Sequence, residues 1–234
     1  MTTDLRIRRD VTVDLIDQMG DETSIVRAAR VSTLGSAAQA TESAGLLRYL
    51  WSNGHASPFE HVTMTFRIEA PIFVTREMLR HRLSSFNEES GRYRELEGVF
   101  YIPESKREIV QVGKVGAYEF RPGSSTQQHL VQTALLESYD FTWQKYRFML
   151  DQGVAREVAR MALPTGIYST IYYTANLRSV LNFLSLRVDW GETATYRSKP
   201  QHEIELVALQ IAAEVSKQFP TVWELFRSNG FVAV

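Results

Sequence analysis

The stretch that decides the fold runs from Val62 to Arg82 and reads V-T-M-T-F-R-I-E-A-P-I-F-V-T-R-E-M-L-R-H-R. Its first nine residues, up to Ala70, alternate between apolar and polar side chains, which predicts a half-buried β-strand. Pro71 then stands where a proline suits the first position of a helix, so we predict a helix over Phe73–Arg82. A strand that continues into a helix and a loop is a rigid mount for the side chains of a functional site.

Hydrophobic periodicity predicts further elements on either side of this stretch. Leu83–Glu97 is polar and is predicted to be an ordered loop, and residues 104–123, rich in Pro and Gly, are predicted to form a variable surface excursion. The predicted strands are Val11–Ile16 and Ile167–Thr174. The predicted helices are Asp21–Val31 with Asp21 as its cap, one opening at Thr41, one from Ser124 or Ser125 to Gln152, Arg156–Leu163, Asn176–Arg187 and Gln201–Gln218.

Few strands, long helices and no regular alternation of strand with helix predict an α+β fold. We expect a central, mostly antiparallel sheet flanked by long helices. The chain has 234 residues, which fits one large domain, so residues 1–234 are predicted to form a single domain.

Composition excludes several classes of protein. The formal net charge is -1, so the overall charge indicates no attachment to nucleic acid or membrane. The chain has no cysteine, which excludes disulfides, Cys-bound zinc, iron–sulfur clusters and a thiol nucleophile. The first ten residues lack the apolar core of a secretory signal, and no apolar run approaches the ~18 residues of a membrane span. We therefore expect a soluble, cytoplasmic protein.

Arginine carries most of the positive charge, with 21 Arg against 5 Lys. Arg grips phosphates and carboxylates with two parallel hydrogen bonds, whereas Lys is a mobile point charge. A genomic bias would give the same composition, so the informative feature is the cluster between Arg76 and Arg94. Arg76 and Arg80 would share one face of the predicted helix, while Arg80 and Arg82 would point in different directions. That arrangement suits two phosphorylated ligands at the helix end.

Beyond this predicted helix, Ser90-Gly91-Arg92 has the chemistry of a phosphate grip. The Ser hydroxyl donates, Gly lets backbone N–H groups approach closely, and Arg closes with two hydrogen bonds. Glu88 and Glu89 have two interpretations. Either they orient arginines and accept hydrogen bonds from a sugar or base, or they neutralise a solvated arginine patch.

Common nucleotide-binding and catalytic motifs are missing from the sequence. It contains neither the Gly-x-Gly of a Rossmann fingerprint nor a Walker loop. The five histidines show no metal-ligand spacing, and there is no Gly-x-Ser-x-Gly elbow. The chemistry therefore rests on something other than a metal, a thiol or a serine hydrolase mechanism.

Six blocks between about residues 24 and 188 resemble, in order, those of flavin-dependent thymidylate synthases (the thymidylate synthase complementing protein family). The defining block begins with Arg80-His81-Arg82 and includes Ser90 further on. Ser90 stands within the matching run Asn87-Glu88-x-Ser90-Gly91-Arg92-Tyr93. An Arg-His-Arg tripeptide alone would be weak, but six ordered blocks are specific. The other blocks are Arg27-Ala-Ala-Arg30-Val-Ser32, Gly54-His55-x-Ser57-Pro58-Phe59-Glu60-His61, Ala70-Pro71-Ile72-Phe73-Val74, Arg156-Glu-Val-Ala-Arg160 with Leu163-Pro164, and Asn176-x-Arg178-Ser179-x-x-Asn182-Phe183-Leu184-x-Leu186-Arg187.

This resemblance implies a methyltransferase that converts dUMP to dTMP. Methylenetetrahydrofolate would donate the carbon, and FAD would mediate hydride transfer from NADPH. The resemblance also implies a homotetramer with sites between subunits, and no nucleic-acid or membrane partner. A flavin route needs no enzyme thiolate, which agrees with the lack of cysteine.

The resemblance also implies which residues bind each ligand. The residues implied for FAD are Ser32, Ser57, Glu60, Arg80, His81, Arg82, Glu88, Asn176, Arg178 and Asn182. The residues implied for dUMP are Glu77, Arg80, Glu88, Ser90, Gly91, Arg92, Arg160 and Arg187. No metal ligand is implied.

One residue of these sets is assigned to catalysis, and two depart from the family pattern. Arg187 matches the arginine proposed to favour loss of the uracil N3 proton, as a fixed cation can do. Ser57 replaces the usual Thr and keeps the hydroxyl. Glu77 replaces the common Gln, and a second carboxylate near a phosphate is unfavourable. Ser90 is assigned to phosphate binding rather than nucleophilic attack, since no obvious base flanks it.

Two other functions stay open from the residues alone. One is a different flavoprotein or nucleotide-modifying enzyme on the same scaffold, which the departure at Glu77 favours. The other is an RNA-binding protein that uses the arginine cluster. The near-zero net charge and the scarcity of aromatic residues between 76 and 92 count against it.

Overall fold

The computed structural model describes residues 5–35, 44–114 and 117–234. The predicted helix start at Thr41 therefore lies outside the described residues. The chain divides into two compact units, each built from segments that are separate in sequence. The sheet unit comprises Val11–Ala70, Val74–Glu88 and Thr170–Val234, and the long-helix unit comprises Met1–Asp10, Pro71–Phe73 and Glu89–Ser169.

Helices and strands follow one another along the described chain without a regular alternation, as expected for an α+β fold. The strands are β1 (Arg6–Arg8), β2 (Thr12–Met19), β3 (Thr63–Pro71), β4 (Ser85–Glu88), β5 (Val99–Tyr101), β6 (Val110–Lys114), β7 (Ala117–Arg121) and β8 (Tyr168–Asn176). The helices are α1 (Glu22–Leu34), α2 (Ala44–Ser52), α3 (Ile72–Met78), α4 (Ser125–Asp151), α5 (Arg156–Ala159), α6 (Leu177–Arg187), α7 (His202–Gln218) and α8 (Pro220–Ser228). Short 3-10 turns lie at Ser57–His61, Arg160–Ala162 and Gly191–Thr193.

The sheet unit is built around a sheet with the strand order β2-β3-β8-β4. β2 pairs with β3 and β4 pairs with β8, both in antiparallel register. Between the two central strands, the Thr65 and Thr174 hydroxyls share a hydrogen bond of 2.9 Å. The alternation predicted for β3 is confirmed. Every second residue of the strand, namely Met64, Phe66, Ile68 and Ala70, is fully buried in the core. The predicted antiparallel sheet is therefore confirmed.

Helix caps confirm two of the predicted helix starts in the sheet unit. The Asp21 carboxylate accepts from the Ser24 N–H over 2.8 Å, while the Ser24 hydroxyl accepts from the Asp21 N–H over 3.2 Å, which is a reciprocal capping box before α1. The Asn176 side-chain oxygen accepts from the Ser179 N–H over 2.9 Å and starts α6. These contacts satisfy N–H groups that a helix start would otherwise leave unpaired.

The long-helix unit is organised by α4, which also begins with a reciprocal cap, between Ser124 and Gln127. Its aromatic residues Tyr139, Trp143 and Tyr146 recur at spacings of four and three and are buried. They form a core cluster with Phe100 of β5, whose ring stacks on Tyr139 with centroids 4.8 Å apart. The predicted long helix is therefore confirmed, with its end at Asp151 rather than Gln152.

The first correction concerns the helix predicted over Phe73–Arg82. α3 begins at Ile72 and ends at Met78, and Pro71 closes β3 instead of opening the helix. The chain leaves the helix through a turn in which the His81 N–H donates to the Met78 carbonyl over 2.9 Å. The segment Arg80–Arg82 thus follows the helix, so the expectation that Arg76 and Arg80 share a helix face is wrong. The chain turns here because strand β4 begins only three residues further on.

The second correction concerns the loop predicted over Leu83–Glu97. Its residues Ser85–Glu88 form β4, which pairs with β8 at the end of the sheet order. The polar residues Ser85, Asn87 and Glu88 suit such an edge strand, and its one apolar residue, Phe86, stacks on Tyr173 of β8 with ring centroids 5.4 Å apart. Within the predicted excursion 104–123, β6 and β7 pair as an antiparallel hairpin. Hydrophobic periodicity did not reveal either feature.

Candidate active site

Arg187, the last residue of α6, is held by two residues of the segment around the end of α3. Its Nη1 lies 2.9 Å from Oε2 of Glu77. Its Nε donates to Nε2 of His81 over 3.0 Å, and its Nη2 donates to the backbone carbonyl of Glu77 over 3.4 Å. The Arg187 side chain is only 19% exposed, against 39% for Glu77. The structure therefore brings together three residues that the sequence predicted for the FAD and dUMP sites.

His81 is a neutral member of this cluster. Burial, followed by the nearby charge of Arg187, lowers the pKa of His81 to about 4. The imidazole also packs edge-on against Phe183, with ring centroids 4.8 Å apart. Because a neutral imidazole keeps one nitrogen unprotonated, Nε2 can accept the Arg187 hydrogen bond at neutral pH. The cluster thus holds one cation, one carboxylate and one neutral acceptor.

Glu88 is held by a residue that the sequence did not single out. The hydroxyl of Thr75, on α3, donates to Oε1 of Glu88 over 3.1 Å. Thr75 is fully buried, and Glu88 is the last residue of β4. This contact orients the carboxylate of Glu88, a predicted ligand of both FAD and dUMP. The sequence offered no signal for Thr75, because its burial and its contact with Glu88 appear only in the folded chain.

Among the other residues predicted for FAD, Glu60 and Arg178 meet directly. Oε1 of Glu60 accepts from Nη1 of Arg178 over 2.7 Å, and Nε of Arg178 donates to the Val234 carbonyl over 2.8 Å. Two predicted residues use their polar groups locally, since Asn176 caps α6 and the Ser32 hydroxyl donates to the Ala29 carbonyl. The remaining predicted side chains at Ser57, Arg80, Arg82 and Asn182 are exposed.

The predicted phosphate grip lies in the long-helix unit. Ser90 begins a turn in which its hydroxyl accepts from the Arg92 N–H over 3.3 Å. Arg92 Nε lies 3.1 Å from Oε2 of Glu157 on α5. Gly91 is buried, and a Cβ on it would lie 3.2 Å from Cδ of Arg160. The structure therefore brings Gly91 next to Arg160, and the small residue permits this approach.

The residues predicted for dUMP are divided between the two units. Those in the sheet unit are Glu77, Arg80, Glu88 and Arg187, and those in the long-helix unit are Ser90, Gly91, Arg92 and Arg160. Glu88 and Glu89, which are consecutive, mark the change of unit. Glu89 pairs with Arg94 at 3.2 Å, so one of the two glutamates does neutralise an arginine of the cluster.

In the part of the chain that the structure describes, no group of three His, Asp or Glu side chains is placed to hold a metal ion. No helix among the described residues is long and apolar enough to cross a membrane.

Comparison with known proteins identifies the family. The profile of the family described as thymidylate synthase complementing protein matches residues 14–221. A flavin-dependent thymidylate synthase from Streptomyces avermitilis is 47% identical over 97% of this chain and 94% of its own length. One from Thermotoga neapolitana is 40% identical over 92% of this chain and 89% of its own length.

A solved structure extends the comparison to the fold. The UMP/dUMP methylase PolB from Streptomyces cacaoi, bound with 5-Br UMP, superposes with a TM-score of 0.91 at 42% identity. The match covers 99% of this chain and 100% of that one. Fold and sequence together define the protein as an enzyme of the methyltransferase class. It belongs to the thymidylate synthase complementing protein family, the family of its relatives named flavin-dependent thymidylate synthases, as the sequence blocks predicted.

Proposed function

We propose that this enzyme converts dUMP to dTMP by reductive methylation. Methylenetetrahydrofolate would supply the carbon, and NADPH would supply electrons by way of FAD. The relatives named flavin-dependent thymidylate synthases support the reaction and the flavin. The observation that carries the proposal in the structure is the guanidinium of Arg187, held by Glu77 and neutral His81.

Arg187 is proposed to act on the uracil ring. A fixed guanidinium beside the N3–H lowers the pKa of that proton and stabilises negative charge that develops on the ring. Its small exposure makes this effect stronger than it would be in bulk water. Because the chain has no cysteine, no thiolate of its own can attack the pyrimidine. Activation of the ring by a cation fits that composition.

The residues proposed for FAD suit the chemistry of that cofactor. Arg80 and Arg82 are exposed after the end of α3 and can donate to phosphate oxygens, as arginines commonly do. The exposed hydroxyl of Ser57 and the amide of Asn182 provide further polar groups. When bound, FAD supplies the chemistry of hydride transfer.

The phosphate of dUMP is proposed to bind at the grip formed by Ser90, Gly91, Arg92 and Arg160. The positive charges of Arg92 and Arg160 complement a phosphate, and the turn at Gly91 lets backbone N–H groups approach it closely. Glu157 holds Arg92 at 3.1 Å, and both side chains are more than half exposed, so this ion pair contributes little to stability. A phosphate can therefore replace Glu157 as the partner of Arg92.

A homotetramer with shared sites is part of the proposal. Four large apolar residues of α4 are exposed, namely Leu130, Leu136, Phe141 and Phe148. Spacings of eleven and seven residues place Leu130, Phe141 and Phe148 in one stripe along the helix. Exposed apolar stripes of this kind are typical of surfaces that are covered by another protein chain. Sedimentation of the purified protein at several concentrations tests this assembly, and a monomer throughout would contradict it.

A second candidate function is methylation of UMP as well as dUMP. It is favoured by the full-length match to PolB, which is named a UMP/dUMP methylase. The two functions differ only in tolerance of the ribose 2′-hydroxyl. An assay with UMP and dUMP present together distinguishes the two functions, because an enzyme specific for dUMP methylates only dUMP.

The test of the proposed function begins with the absorbance spectrum of the purified protein. We expect flavin bands that shift when dUMP is added, followed by formation of dTMP when methylenetetrahydrofolate and NADPH are supplied. A colourless protein that neither retains added FAD nor responds to dUMP would contradict the proposal. Flavin binding without dTMP formation would point instead to a different flavoprotein on this scaffold.

A further inference from the structure

Two oxygens of Glu77 contact two different nitrogens of Arg187. The side-chain Oε2 lies 2.9 Å from Nη1, and the backbone carbonyl accepts from Nη2 over 3.4 Å. His81 accepts from the third nitrogen, Nε, over 3.0 Å. A planar guanidinium that is contacted at all three nitrogens is restrained in rotation as well as in position.

The elements that carry this contact are anchored in the core. On α3, the residues Val74, Thr75 and Met78 around Glu77 are fully buried. On α6, Leu184 before Arg187 is fully buried too. The ion pair therefore joins two packed helices, unlike a surface pair between two mobile side chains, whose net effect is small.

We infer that Glu77 is a positioning residue, which holds the guanidinium of Arg187 in the orientation that acts on the substrate. This inference rests on the proposed function, in which Arg187 contacts the uracil. The three contacts use three of the five N–H donors that a guanidinium carries, so two donors serve the substrate. What the inference requires of Glu77 is a correctly placed oxygen acceptor. A glutamine at this position would supply one, whereas an alanine would leave only the backbone carbonyl.

The first part of the test compares Glu77→Gln with Glu77→Ala. Since small displacements of a catalytic group cost large factors in rate, we expect Glu77→Ala to lower kcat for dTMP formation by about 10- to 100-fold. The KM for dUMP should change by less than about 3-fold, because the loss falls on the transition state. Glu77→Gln should stay within about 3-fold of wild type in kcat, because it keeps the acceptor.

A matched control removes another glutamate–arginine pair. Glu224 and Arg227 on α8 form an exposed pair at 2.9 Å. Glu224→Ala should leave kcat unchanged, and its thermal unfolding temperature should stay close to that of wild type. If Glu77→Ala is unfolded at room temperature, Glu77→Gln alone tests the inference. A loss of activity in Glu77→Gln would then contradict it.

The second part of the test does not depend on turnover. The Nε–H proton of Arg187 can be observed by NMR and assigned from its loss in Arg187→Lys. We expect slow exchange of this proton with water in wild type and at least about 10-fold faster exchange in Glu77→Ala, because the guanidinium gains rotational freedom. Glu77→Gln should exchange at nearly the wild-type rate.

The outcomes separate the inference from the proposed function. Equal exchange rates in wild type and Glu77→Ala would overturn the positioning role, whatever the activity. Equal losses of kcat in Glu77→Gln and Glu77→Ala would overturn it as well, since negative charge rather than geometry would then matter. Faster exchange in Glu77→Ala, together with a wild type that forms no dTMP, would contradict the proposed function and support the positioning contact.

Discussion

Nε2 of His81 accepts a hydrogen bond from Nε of Arg187 over 3.0 Å, so the central residue of the Arg-His-Arg segment is an acceptor for an arginine 106 positions later. This relationship requires the imidazole to be unprotonated. Burial and the charge of Arg187 provide that condition, since they lower the pKa of His81 from 6.5 to about 4. The histidine therefore works here as a neutral hydrogen-bond acceptor rather than as a cation.

The first prediction follows from this pKa. Because the folded value of about 4 lies below the unfolded value of 6.5, the unfolded chain binds more protons between these pH values. The contribution of His81 to the free energy of unfolding is therefore complete above pH 6.5 and is lost as the pH falls towards about 4. Urea unfolding of wild type and His81→Gln at several pH values checks this. The variant should show the shallower dependence.

The control for this prediction is a histidine outside the cluster. His55 is exposed, so His55→Gln should keep the wild-type pH dependence of stability. An NMR titration gives the pKa of His81 directly. A value near 6.5 would mean that the ring is not desolvated, and it would contradict the predicted pH dependence of stability.

The second prediction concerns Thr75 and Glu88. Thr75→Val keeps the shape of the buried side chain but removes the hydroxyl that donates to Glu88 over 3.1 Å. We expect the free energy of unfolding to fall by about 1–3 kcal/mol, because Glu88 loses a hydrogen-bond donor in a partly buried place. Binding of dUMP should weaken as well. Thr75→Ser keeps the hydroxyl and should bind dUMP as wild type does, so equal loss in both variants would contradict a role for the hydrogen bond.

The third prediction concerns the close approach at Gly91. A Cβ at this position would lie 3.0 Å from Cδ1 of Leu96 and 3.2 Å from Cδ of Arg160, so Gly91→Ala must displace one of them. We expect a loss of about 1 kcal/mol in the free energy of unfolding, and weaker dUMP binding if Arg160 moves. Gly45→Ala is the matched control, because a Cβ there meets no atom within 4 Å. This helical substitution should stabilise the protein slightly.

The fourth prediction tests the phosphate grip. Arg92→Ala should weaken dUMP binding by about 10- to 100-fold, as expected for the loss of a charged hydrogen-bond partner. Binding of deoxyuridine, which lacks the phosphate, should be unaffected by the same change. Arg156→Ala serves as the control, since Arg156 is also exposed and contacts only Glu95, at 3.8 Å, among the ion pairs of the described residues. Equal weakening for both ligands would place Arg92 elsewhere than at the phosphate.

Much of the fold could be predicted because the signals are local. The alternation in β3 and the caps at Asp21 and Ser124 depend on residues close together in sequence, and the structure contains all three. Strand β4 could not be predicted in this way. Three of its four residues, Ser85, Asn87 and Glu88, are polar, and only pairing with β8 makes them a strand.

The residues of the candidate site could also be predicted only in part. The sequence blocks named Glu77, His81 and Arg187 as separate members of ligand sets, and they led correctly to the family. They did not indicate that Arg187 would be held by the other two. Thr75 was missed altogether, because a threonine on a short helix has no motif of its own and its partner Glu88 belongs to a strand that was not predicted.

By itself, the sequence determined the fold class, the caps and period of the main helices, the lack of a thiol nucleophile and the family. These features follow from residue types and from spacings between residues that are close together in the sequence. Only the tertiary structure decided that α3 ends at Met78, that β4 is a strand, and that Glu77, His81 and Arg187 meet. The physical reason is that these features depend on packing between elements about a hundred residues apart, where the hydrogen bonds and buried surfaces of the folded chain outweigh local preference.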